Sequence, residues 1–186
     1  MTVPNLLTIL RIALTPLLVW FLLRGQLAHS LVVFLIAGVT DGLDGLIARL
    51  FQQKSEVGAY LDPLADKLLL VTCFLLLGRL GMLPVWLVVI AVGRDATILG
   101  GVLLLTLRHV RLQIRPSALS KLTTLAQLVT VFYTLVSALT SWLPWSSTLL
   151  HVVTAFLCVA SGFQYVKMGL QLWEGERHGA MPSARD

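Results

Sequence analysis

Residues Asp41 to Asp66 read DGLDGLIARLFQQKSEVGAYLDPLAD. Four carboxylates, Asp41, Asp44, Asp62 and Asp66, lie in and between two strongly apolar segments. An ionised Asp at the centre of a membrane helix costs roughly 2.5–3.5 kcal/mol on insertion scales, so residues of this kind face a bundle interior or a water-filled cavity and need partners. The nearby cations are Arg49, Lys54 and, just past the stretch, Lys67. They do not balance the four acids, and a divalent metal supplies the missing charge. Asp41 and Asp44 are three apart, Asp62 and Asp66 four apart. On a helix either spacing puts both side chains on one face. Two helices presenting such pairs to each other make an oxygen-rich cage, which suits Mg2+, Mn2+ or Ca2+ and does not suit zinc. Gly42, Gly45, Ala48, Gly58 and Ala59 leave room for a backbone or a flat ligand to approach. A solvated loop with scattered acids is the plain alternative. It fits poorly with apolar flanks that put Asp41, Asp44 and Asp66 inside helices.

The rest of the chain sets this stretch in a membrane. Of 186 residues, 57% are hydrophobic and 12% charged, and the mean hydropathy is +0.87. A soluble domain is about one-quarter charged. Six apolar stretches approach the roughly twenty residues that a membrane helix needs: about Asn5–Leu23, Ser30–Phe51, Tyr60–Leu80, Leu83–Leu107, Ser120–Trp142 and Ser147–Trp173. The expectation is an all-α polytopic membrane protein with six transmembrane helices. One membrane domain spans residues 1–173 and a polar tail spans 174–186. The N-terminal apolar run carries Arg11 and lacks a basic leader, so it reads as a retained helix.

Charge sets the expected orientation. With the N-terminus inside, the inner side carries Arg49, Lys54, Arg108, Arg111, Arg115, Lys121, Lys167, Arg177 and Arg185, and the outer side only Arg24 and Arg79. The positive-inside rule then gives N-in/C-in. The second and third helices meet near Phe51 and Tyr60 at the inner leaflet, so both carboxylate pairs belong to a water-accessible pocket on the cytoplasmic side. Asp41 lies on the order of 15 Å from its helix end at 1.5 Å per residue. The net charge is +5. Its cations cluster between hydrophobic spans, which points to anionic lipid head groups and not to nucleic acid. Cys73 and Cys158 lie in apolar runs and read as small buried hydrophobes. The histidines share no ligand spacing, and Trp20, Trp86, Trp142, Trp145 and Trp173 lie near span ends as an interfacial belt. Ala160, Ser161 and Gly162 allow close helix packing or a dimer face, and a homodimer is the expected assembly.

The order Asp41-x-x-Asp44-Gly45-x-x-Ala48-Arg49, eight residues, then Gly58-x-x-x-Asp62-x-x-x-Asp66, resembles the signature of the CDP-alcohol phosphatidyltransferase family at each of its eight fixed positions. The resemblance implies transfer of a phosphatidyl group from CDP-diacylglycerol to a glycerol-type hydroxyl with release of CMP, using two Mg2+ or Mn2+ ions. It implies that Asp41, Asp44, Asp62 and Asp66 hold the metals and that Asp66 is also the general base. It implies a CDP site of Asp44, Gly45, Ala48, Arg49 and Gly58. Gly45 and Ala48 let the nucleoside lie flat, and Arg49 offers a planar fork to the pyrophosphate. Asn5, Thr8 and Arg11, spaced three and three on one helix face, resemble the family's N-terminal pattern. They wall the nucleotide pocket on that reading, or hydrogen-bond between helices on a structural one.

Arg94 and Asp95 interrupt the fourth span. Adjacent residues diverge by about 100° on a helix, so they are expected not to pair face to face. Either each pairs with another helix, or Arg94 binds acceptor phosphate. Arg115 and Lys121 are the other candidates for an anionic acceptor. Three stretches, AGVTDGLDG, GRDATILGG and RPSALSKLTTLAQ, are similar to the cardiolipin-forming members of eukaryotic type. Members that use glycerol 3-phosphate usually carry Arg-Glu at the Arg94-Asp95 position. Phosphatidylglycerol is therefore the preferred acceptor and glycerol 3-phosphate the alternative. A cation transporter or channel is the competing class, since intramembrane acids also mark ion paths. The paired repeats and broken helices typical of transporters are not evident here. A non-catalytic scaffold has no use for four intact carboxylates.

Overall fold

The computed structural model describes the backbone of residues 3–51, 56–107, 117–140 and 147–178, and the side chains of 9–40, 67–101, 117–140 and 147–169. The described residues form α1 (Val3–Leu23), α2 (Leu27–Phe51), α3 (Glu56–Arg79), α4 (Val85–Leu107), α5 (Ala118–Leu139) and α6 (Ser147–His178), with no strand among them. The elements coincide with the apolar stretches to within a few residues. Their ends have local causes. Gly25 and Gly81 adopt φ of 68° and 73°. Gln26 N donates to Phe21 O and Gly25 N to Leu22 O, and the same pair of bonds recurs from Met82 to Leu77 and from Gly81 to Gly78. This is the Schellman stop, in which a left-handed glycine satisfies the last carbonyls. At α5, Ser117 takes an extended conformation and its hydroxyl accepts from Ser120 N, so the helix starts two residues before the apolar run suggests.

The helices close a ring. α1 packs on α2 and α3, α3 on α4, α4 on α6, α6 on α5, and α5 on α2; α3 also meets α5 across the middle. Leu18, Leu22, Phe34, Ala37, Cys73, Phe74, Leu77, Leu87, Val131, Leu135 and Cys158 belong to the shared apolar core. Both cysteines are free and buried.

The distribution of polarity is inverted relative to a water-soluble bundle. Arg11, Ser30, Thr40, Arg94, Asp95, Thr123, Gln127, Thr130, Thr134, His151, Thr154 and Ser161 are buried. Val39, Val85, Val89, Leu149, Phe156 and Phe163 are exposed, the last two at 71% and 74%. Helix hydroxyls such as those of Thr15, Ser30, Thr97 and Thr134 bond to the carbonyl four residues back. That keeps them satisfied without water. α5 over Ala118–Leu139 and α6 over Ser147–Gly169 are each long and apolar enough to cross a bilayer. An apolar exterior, with polar side chains turned inward beside the apolar core, is what a membrane protein presents. Trp20 lies at the end of α1 with the Arg24 guanidinium 4.4 Å from its ring centroid, as an interfacial aromatic should.

Candidate functional site

Asp41 and Asp44 lie on α2, Asp62 and Asp66 on α3, so each expected carboxylate pair shares one helix. The side chains of these four, and of Asn5, Thr8, Gly45, Ala48, Arg49, Gly58 and Arg115, fall outside the described residues. What the structure supplies is the register leading up to them. On α2 the buried positions include Ser30, Phe34, Ala37 and Thr40; on α3 they are Leu69, Leu70, Cys73, Phe74 and Leu77. α1, which packs on both helices, buries Arg11 to 1% exposure together with Leu18 and Leu22. Asn5 and Thr8 precede Arg11 on that same spacing.

Next to the carboxylate region is a charged cluster that joins four helices. Asp95 of α4 is buried. Its Oδ1 accepts from Lys67 Nζ of α3 at 2.6 Å and from Arg94 Nη1 at 2.5 Å. Its Oδ2 accepts from Gln127 Nε2 of α5 at 3.4 Å. Arg94 Nη2 donates to Ser120 Oγ of α5 and to Ser161 Oγ of α6, both at 2.8 Å. Arg94 Nε and Gln127 Oε1 are buried without a hydrogen-bond partner among the described residues. Two cations and one anion leave the cluster with a formal surplus of one positive charge. Below it, the Thr123 hydroxyl donates to Leu119 O and Leu157 O, and the Thr130 and Thr154 hydroxyls meet at 2.8 Å.

This corrects the expectation that Arg94 and Asp95 cannot pair. Their Cα–Cβ directions diverge, but the arginine side chain is long enough to curl back to its neighbour's carboxylate. Each also bonds to other helices, as the structural reading required. Lys121, beside Ser120 at the start of α5, is exposed. Ser161 is buried, and a Cβ placed on Gly162 would lie 3.5 Å from Arg94 Cγ. Of the two uses expected of Ala160–Gly162, the structure displays close packing of α6 on α4.

The sequence gives Ser120 and Gln127 no role, and it gives Lys67 and Ser161 no part in a polar cluster; Lys67 reads only as a cation near the four acids and Ser161 only as a small packing residue. A signal was present on α5: Ser120, Thr123, Gln127, Thr130 and Thr134 repeat at three, four, three and four. That is a polar stripe on one face of an otherwise apolar helix. Among the described residues no group of three or more His, Cys, Asp or Glu side chains is placed to hold a metal; the four aspartates lie outside them. Their donor chemistry, four carboxylates on two neighbouring chain segments, fits a hard divalent cation.

The family model of CDP-alcohol phosphatidyltransferase matches residues 1–158. A probable cardiolipin synthase (CMP-forming) of Drosophila melanogaster is 37% identical over 147 residues, 70% of this chain and 46% of that protein. A cardiolipin synthase (CMP-forming) of Rattus norvegicus is 33% identical over 187 aligned positions, 90% of this chain and 61% of that protein. A probable phosphatidylglycerophosphate synthase of Mycobacterium tuberculosis is 32% identical over 183, covering 95% of this chain and 85% of that protein. The chain thus spans about half to three-fifths of the length of the first two relatives and most of the third. It belongs to the CDP-alcohol phosphatidyltransferase family.

Proposed function

We propose that the protein transfers the phosphatidyl group of CDP-diacylglycerol to the free hydroxyl of phosphatidylglycerol, releasing CMP and forming cardiolipin. The observation that carries this reading is the match of the family model across the whole carboxylate region, together with relatives named as CMP-forming cardiolipin synthases. A relative named for phosphatidylglycerophosphate synthesis covers the chain just as fully. Glycerol 3-phosphate therefore stands as the second reading of the acceptor. An ion-transport function has no use for the Gly45-x-x-Ala48-Arg49 group.

On this reading Asp41, Asp44, Asp62 and Asp66 hold two divalent ions, Mg2+ or Mn2+. When bound, such ions supply charge stabilisation for the attacking and leaving oxygens. Asp66 accepts the proton of the acceptor hydroxyl. Asp44, Gly45, Ala48, Arg49 and Gly58, with Asn5 and Thr8, bind the CDP moiety, and Arg11 closes the pocket from α1. Arg115 and Lys121 bind acceptor phosphate. Arg94, the third acceptor candidate, is buried with Nη1 on Asp95 and Nη2 on Ser120 and Ser161, so on this reading it supports the acceptor site from inside the bundle. The six helices span the membrane with both termini and the site on the cytoplasmic side, in a bacterial inner membrane. Residues 1–173 form the domain and 174–186 a polar tail. The excess of Lys and Arg on one set of loops supports this orientation.

The test is direct. Purified protein in vesicles receives CDP-diacylglycerol labelled in its lipid moiety, with phosphatidylglycerol and glycerol 3-phosphate offered in parallel. Thin-layer separation should show labelled cardiolipin. Phosphatidylglycerophosphate as the dominant product would transfer the assignment to the second acceptor, and no CMP release with either would remove it.

A further inference from the structure

The charged cluster has a topological property that its individual bonds do not reveal. Lys67 is the peptide-bond neighbour of Asp66, and Ser120 is the neighbour of Lys121. Between Lys67 and Ser120 runs an unbroken line of short contacts: Lys67 Nζ to Asp95 Oδ1 at 2.6 Å, Asp95 Oδ1 to Arg94 Nη1 at 2.5 Å, and Arg94 Nη2 to Ser120 Oγ at 2.8 Å. The line therefore connects the α3 residue next to the proposed base with the α5 residue next to the proposed acceptor cation. Both helices also pack against each other.

We propose that Asp95 is a positioning residue that sets the separation of Asp66 and Lys121. It touches neither substrate. It acts by fixing Lys67 on one side and, through Arg94, Ser120 on the other. The inference rests on the roles given above to Asp66 and Lys121. Three features make the link stiff. Asp95 is 1% exposed and accepts from three side chains, so its carboxylate has little freedom. Arg94 is anchored independently by Ser161 of α6, which stops the guanidinium from swinging with α5. The guanidinium is planar, so its two Nη directions are fixed relative to each other. Charge-assisted hydrogen bonds in a low-dielectric interior are strong enough to hold such a spacing. Buried supporting groups of this type fix the groups that react, and a displacement of about 1 Å can cost about a hundredfold in rate.

The experiment is a kinetic cycle on the full-length protein in vesicles, with the acceptor that gives product. Asp95→Asn keeps an acceptor oxygen but loses the charge; Ser120→Ala removes only the last link and keeps the fold should the first variant not survive purification. Each is combined with Lys121→Ala, and kcat and KM are measured for acceptor and for CDP-diacylglycerol separately. The expected result is a fall of about tenfold or more in acceptor kcat/KM for Asp95→Asn, a smaller fall for Ser120→Ala, and CDP-diacylglycerol KM unchanged. Both falls should shrink toward onefold in the Lys121→Ala background, because the cation whose position the strut sets is then absent. A general loss of packing would instead lower both substrates' parameters and add to Lys121→Ala, which overturns the proposal. If Lys121→Ala by itself leaves acceptor KM unchanged, the acceptor-site reading fails and the proposal falls with it; if Lys121→Ala raises it and the strut variants do not, only the strut is wrong.

Discussion

Lys67 of α3 and Asp95 of α4 meet at 2.6 Å across 28 positions of sequence, with 17% of the lysine side chain and 1% of the aspartate side chain exposed. The ion pair is thus buried at one end and nearly so at the other. Arg94 shares the same carboxylate oxygen, so among the described residues Asp95 is the one anion paired with both cations. Removal of that anion is far more damaging than loss of an ordinary hydrogen bond.

Asp95→Ala should therefore destabilise the protein by about 3–5 kcal/mol, the cost of leaving buried charge uncompensated. Equilibrium unfolding in mixed micelles measures this. A variant as stable as the parent would mean that the two cations find other anions and that the cluster is not held by Asp95.

On the proposed reading the four carboxylates of α2 and α3 hold divalent ions. Activity should be lost in excess chelator and return on addition of Mg2+ or Mn2+, and a carboxylate-binding ion should also raise the unfolding midpoint by mass action. Full turnover in excess chelator would sink the metal reading.

The two acids at opposite ends of the motif should differ. Asp66→Asn should reduce turnover by about 100-fold or more while CDP-diacylglycerol binding changes little, since general-base catalysis is typically worth about 100- to 10,000-fold. Asp41→Asn should weaken both. Nucleotide-lipid affinity by titration, set beside the single-turnover rate, separates them; a near-normal rate in Asp66→Asn removes its role as base.

The hydroxyls of Thr130 on α5 and Thr154 on α6 share one buried hydrogen bond at 2.8 Å. Interhelical hydrogen bonds in membrane proteins couple by about 0.6 kcal/mol on average. A double-mutant cycle of Thr130→Val and Thr154→Val should return a coupling of that order. Strict additivity would show that each hydroxyl is satisfied by its own helix, as Thr130 already is in part through Ala126 O.

Much of this molecule is local in origin and can be read along the chain. Long apolar runs with an internally bonded backbone announce helices, so the six helices declare themselves by length. That Asp41 and Asp44 share one helix and Asp62 and Asp66 the next is likewise local, since each pair lies three or four residues apart inside a single apolar segment. The stops at Gly25 and Gly81 follow from the residue that tolerates a left-handed turn. The pairing of Lys67 with Asp95, of Arg94 with Ser120 and Ser161, and of Gln127 with Asp95 has no local signature. These contacts join residues 28, 26, 67 and 32 positions apart, and they exist only because α3, α4, α5 and α6 pack around a common interior. Even the neighbours Arg94 and Asp95 were misjudged by helical geometry alone. Backbone direction predicts where a side chain begins, whereas a long guanidinium ends where burial, opposite charge and the surrounding helices make its free energy lowest.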